Sequence, residues 1–141
     1  MAVQLVIIPA IVCGLAIGVY EAILLHRDVS IPTHRFGHTL HALVYAVIAV
    51  FFTMNATFIY ATFAFLHKIP LLQYPIVFQI LVGVITIAKV HGASAAIKGS
   101  FGGGSVGMKE TWAHSLVIGA LIVAVPYVWP IIVPFLPKYL K

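Results

Sequence analysis

Seven histidines and three carboxylates are the side chains of this 141-residue chain best suited to moving protons near neutrality or holding a transition metal. Their spacing is not random. His34, His38 and His41 stand at i, i+4 and i+7, which on a helix places them within about 60° of one another, and Tyr45 extends the same face. Two imidazoles one turn apart can grip a single ion, so HxxxH spacing recurs in metal sites. Glu110 and His114 repeat the i, i+4 relation. His91 closes the third apolar stretch, and Glu21 lies late in the first.

Three chemistries follow from these residues. The first is a metal site built from His38, His41, His91 and His114, with Glu21 or Glu110 as a possible carboxylate ligand; imidazole with carboxylate suits zinc, copper, iron or nickel. The second is haem b held between helices, which needs one histidine from each of two facing spans, either His41 with His114 or His38 with His91. The third is proton or cation transfer, with Glu21 as carrier and His41 and His114 as relay. Each has a plainer counterpart. Histidines at helix ends rest comfortably at the headgroup boundary, and Glu21 can keep its charge through an ion pair with Arg27, His38 or His114.

The elements that must position these groups are apolar. Hydrophobic residues make up 62% of the chain and charged residues 8%, against about a quarter charged in ordinary soluble domains. A soluble domain of this size has too much surface to hide that apolar content, and a bilayer removes the conflict. One domain over 1–141 is expected, an all-α integral membrane bundle of four transmembrane helices near 3–25, 38–66, 71–90 and 111–136. Each stretch is long enough to cross about 30 Å of hydrocarbon at 1.5 Å per residue.

Within the first stretch Ala10, Gly14, Gly18 and Ala22 recur every four residues. This small-xxx-small stripe lets two helices approach closely in lipid. On the helical wheel Glu21 falls between Ala10 and Gly14, so it shares that packing face and should point inward. In the last stretch Pro126, Pro130 and Pro134 each remove a backbone donor, so a kinked helix is expected there. After the third stretch a short interfacial extension through Ile97 leads into a segment rich in glycine from Gly99 to Gly107. FGGGSVG lacks the Lys-Ser or Lys-Thr of a phosphate loop and reads as a linker. Trp112 at one end of the fourth stretch, with Tyr127, Trp129 and Tyr139 at the other, fits the aromatic belts of a spanning helix.

If the stretches cross in turn, almost every ionisable residue comes to one membrane face, and only His67, Lys68, Lys138 and Lys141 reach the other. Lys and Arg counts favour the first and third loops inside and both termini outside. The expected location is the plasma membrane of a prokaryote. The net charge of +5 comes from scattered basic residues, which suit anionic lipid rather than nucleic acid. Cys13 alone excludes an internal disulfide. There is no GxSxG or HExxH, so hydrolytic catalysis is not expected.

Two functional classes emerge. One is a non-catalytic subunit or oligomeric component of a larger membrane complex, held by other membrane subunits or by self-association. The other is a proton or metal-ion transporter, or a metal- or haem-binding membrane protein, using the Glu/His cluster.

Overall fold

The computed structural model describes the backbone of residues 4–28, 32–100 and 112–137, and side chains over 4–24, 39–92 and 112–137. Among them every regular element is helical: α1 (Ile8–Asp28), α2 (Pro32–Met54), α3 (Ala56–Thr62), α4 (Pro75–Ser100) and α5 (Trp112–Ile132). Single 3₁₀ turns follow α3 at Ala64–Lys68 and α5 at Val133–Phe135. The Gly-rich segment from Phe101, and Lys138 to Lys141, lie outside the described residues.

Along the facing sides of α1 and α2, mostly small residues lie inside and large apolar ones outside. On α1, Ala10, Gly14, Gly18 and Ala22 are buried, while Ile11, Leu15, Val19 and Ile23 face outward. On α2 the same phase buries Ala42, Ala46, Ala49 and Val50 and exposes Leu40, Val44, Ile48 and Phe52. Lipid tails are as apolar as leucine, so burying large apolar groups gains little there; close backbone approach and dispersion hold such helices together instead.

Two helix pairs show that approach. A Cβ added at Gly14 would lie 2.5 Å from Val47 Cα, and one at Gly18 would lie 2.8 Å from Leu43 Cα. The pairs Gly18–Leu43, Gly14–Val47 and Val6–Asn55 advance in opposite directions by equal steps, so α1 and α2 are antiparallel in one constant register. The α4–α5 pair repeats the device without a glycine stripe. Gly83 packs on Val123 and Gly119 on Ile87, and Tyr127 Oη donates to Gln79 Oε1 at 2.5 Å in the same antiparallel register. Both α2 and α5 pack against each of the other three long helices.

Two helices, over Pro75–Gly92 and Trp112–Phe135, are long and apolar enough to cross a membrane. A third crossing exists if Thr39–Met54 and Ala56–Thr62 count as one, and the apolar part of α1, Ile8–Leu24, is shorter. The continuous span expected over 38–66 is therefore broken: the chain bends by 65° between α2 and α3. Asn55 sits at the break and is only 1% exposed. Its amide reaches across to the chain entering α1, accepting from Val6 N at 2.6 Å and donating to Val6 O at 2.9 Å, with a second donation to Phe51 O at 2.9 Å. The carbonyl of Thr53, one turn before α3, accepts from Gln79 Nε2 at 2.9 Å. Side chains thus satisfy backbone groups at the bend, as hydrocarbon demands.

The last helix survives its prolines. α5 continues through Pro126 and Pro130, and only Pro134 falls in the terminal 3₁₀ turn. Pro126 cannot donate to the carbonyl of Ile122 four residues earlier. Thr53 Oγ1 supplies the missing donor at 3.1 Å, while also lying 3.1 Å from Val50 O in its own helix. Thr53→Val should therefore cost about 1–2 kcal/mol, the usual penalty for orphaning a buried acceptor. In a Pro126→Ala background residue 126 regains an amide, and most of that cost should vanish. A double-mutant cycle on unfolding in mixed micelles checks this, and equal penalties in the two backgrounds would refute the capping role. The extension expected after the third stretch is helical and continuous with it, as α4 runs unbroken to Ser100.

Candidate functional site

The glycine contacts between α1 and α2 decide where Glu21 sits. With Gly18 against Leu43, the next turn of α1 lies beside the start of the described part of α2, and Glu21 is 5% exposed. Its Oε2 is buried and has no hydrogen-bond partner among the described residues. A carboxyl oxygen in that position must be neutralised by a proton or by a cation, because a bare charge in a low-dielectric interior is costly.

The nearby cation is Lys89 of α4, whose charge acts on Glu21 through space. Its ammonium is held by α2 on two sides. Nζ contacts His41 Nε2, and it lies 4.4 Å from the centroid of the Tyr45 ring, where the aromatic face attracts a cation. With Lys89 donating, His41 Nε2 accepts, which leaves the ring hydrogen on Nδ1. The His41 and Tyr45 rings are stacked, with centroids 6.5 Å apart and planes 16° from parallel. Glu21, His41, Tyr45 and Lys89 therefore bring three helices together near one end of the bundle.

The remaining sequence-derived residues sit elsewhere in that end. His91 stacks on Trp112, centroids 3.7 Å apart and planes 14° from parallel, which joins the end of the apolar part of α4 to the start of α5. His114 is half-buried in the first turn of α5. The side chains of His34 and His38, and all of Glu110, lie outside the described residues. Among the described residues no three His, Cys, Asp or Glu side chains gather to hold a metal ion. His41, His91 and His114 alone thus make no metal centre, and His41 is turned towards Lys89 instead.

Lys89, Gly83 and Gly119 were not among the expected site residues. Lys89 was counted only as a basic flank, and no spacing rule links it to Glu21 or His41, because the link is tertiary. Gly83 and Gly119, which set the α4–α5 distance, were also missed. A signal existed for one of them: Ser115 and Gly119 stand four apart, and both are buried. Searches against protein-family models, curated proteins and solved structures found no match to this chain.

Proposed function

We propose that this chain is a small integral membrane protein of four crossings that handles protons or small cations at Glu21. The observation that carries the reading is the buried Glu21 oxygen that has no hydrogen-bond donor among the described residues, with Lys89 as the neighbouring charge. In this reading α1 supplies the fourth crossing, its apolar Ile8–Leu24 segment extended by Leu5, Val6 and Ile7. Glu21 exchanges a proton or cation, Lys89 offsets the carboxylate charge when the site is empty, and His41 positions Lys89 through its Nε2 contact. His114 lies near the same end of the membrane helices.

The test is reconstitution of the full chain into vesicles loaded with a pH-sensitive dye and subjected to a pH step. The wild type should dissipate the gradient faster than empty vesicles do, and Glu21→Gln should fall to the empty-vesicle rate. Unchanged flux in Glu21→Gln, with the variant folded, would sink the proposal. Repeating the assay with sodium and potassium gradients separates proton from cation handling.

One observation favours the second reading, a non-catalytic subunit or oligomeric component. Between α4 and α5 an apolar groove of about 370 Å³ opens outward over Gly83, Val84, Gly119, Ala120 and Ala124. A helix of another membrane subunit, or of a second copy, could lie there with close backbone approach. Ala120→Cys should then crosslink to the partner in native membranes, while a cysteine at Leu15 on the opposite helix pair should not.

A further inference from the structure

We propose that residues 63–74, with Phe135 of the terminal 3₁₀ turn, form an interfacial anchor that seats one end of the bundle in the boundary between lipid headgroups and acyl chains. After the bend at Asn55 the chain no longer follows the axis of α2, yet it does not turn into an ordinary polar loop. Phe63, Phe65, Ile69, Leu71 and Tyr74 all face outward, with Leu71 76% exposed and Phe135 86% exposed. Loops that meet water usually present polar groups at such positions.

The backbone that presents them is held in place. Tyr60 is buried, its hydroxyl donates to Leu72 O, with Tyr74 O also within 3.3 Å, and its ring packs edge-on against His67 and Phe78. Leu71 adopts φ 73°, a left-handed conformation that costs a bulky L-residue of order 1 kcal/mol and persists only where its surroundings impose it. A strained, pinned turn that points leucine and aromatic side chains outward has its apolar groups directed at something apolar.

Depth identifies what that is. The broken crossing ends at Thr62 and the next begins at Pro75, so residues 63–74 lie at the level where both spans end. The Gln79–Tyr127 register places the end of α5, and hence Phe135, at the same level. Aromatic side chains belong at that level in a bilayer. The exposed apolar faces of α4 at Ile76 and Ile80 and of α5 at Ile131 continue directly from this collar. Exposed Lys68, three residues after Phe65, adds a cation at the height of anionic headgroups. The inference rests on the membrane placement of these helices and is independent of the role of Glu21.

The experiment uses the full chain with Trp112→Phe and Trp129→Phe, carrying one reporter at a time: Phe65→Trp or Leu71→Trp at the collar, and Ile85→Trp on the exposed side of α4 outside the α4–α5 groove. Each is reconstituted in vesicles whose lipids carry bromine either just below the headgroup or near the chain end. Ile85→Trp should be quenched most by deep bromine. Phe65→Trp and Leu71→Trp should lose about half their emission to shallow bromine, with little quenching by aqueous iodide. Quenching of the collar reporters by iodide alone places the segment in water and overturns the proposal. Protection from both quenchers means that a protein surface covers it, which overturns it equally. Failure of Ile85→Trp to respond to any bromolipid would remove the membrane placement itself and the anchor with it.

Discussion

Gly14→Leu should prevent α1 from docking on α2, and even Gly14→Ala should cost several kcal/mol. A Cβ at this position would stand 2.5 Å from Val47 Cα, a backbone atom that cannot rotate away. The only relief is to move two helices apart, and each ångström of separation forfeits dispersion along the whole α1–α2 seam. Gly18→Ala should behave similarly, with its Cβ 2.8 Å from Leu43 Cα. Gly119→Ala should cost comparably, because its Cβ would stand 2.4 Å from Cγ1 of Ile87, a β-branched side chain with one favoured helical rotamer, and 3.0 Å from the Gly83 carbonyl oxygen. Gly92→Ala is the control. Nothing lies within 4 Å of its added Cβ, and alanine is the better helix former by up to about 1 kcal/mol, so this variant should be neutral or more stable. Unfolding of the four variants in mixed micelles gives the order directly. A Gly14→Ala protein as stable as the wild type would show that α1 and α2 do not meet as described. Because the same seam buries Glu21, the Gly14 variants should also open that carboxyl to solvent.

The packing stripe was legible because it is local: four small residues on one helical phase need no knowledge of the partner helix. The inward phase of Glu21 followed from the same arithmetic. The α2–α3 break was not legible, since no local pattern marks Thr53 and Asn55 as groups that bond to other parts of the chain. Their meaning depends on Val6 and Ile122, which are 49 and 69 residues away from their partners in sequence. Lys89 was opaque for the same reason. A lysine three residues from the end of the 18-residue apolar window Pro75–Gly92 reads as a flank unless His41 and Tyr45 are known to lie opposite. The prolines of α5 suggested a helix in jeopardy. They proved tolerable because a threonine on another helix replaces one of the missing donors, and no single-helix rule foresees that. Periodicity thus identified faces, while the site itself depended on which faces meet.

Asn55→Leu should destabilise the protein by about 3–5 kcal/mol, summing the loss of paired polar groups at a buried break. Leucine keeps the branched skeleton of asparagine but is bulkier, so the change removes the hydrogen bonds and adds some overpacking. Three are lost: the Val6 amide loses its acceptor, and the carbonyls of Val6 and Phe51 lose a donor. Phe51 O still receives the backbone amide of residue 55 at 3.1 Å, so most of the penalty should fall on Val6. Hydrogen exchange separates this from a general loss of stability. Under native conditions the Val6 amide should exchange much faster in Asn55→Leu, while amides of α4 and α5 around Gly83 and Gly119 should keep their relative protection. Loosening Val6 frees the chain entering α1, which the α1–α2 seam must then hold alone. Asn55→Leu and Gly14→Ala should consequently be worse together than the sum of their separate effects, because each removes one of the two attachments of α1 to α2. Strict additivity would mean that the Val6–Asn55 pair and the glycine seam act as independent fastenings. Excess destabilisation in the double variant is expected, since both hold the same helix in the same register.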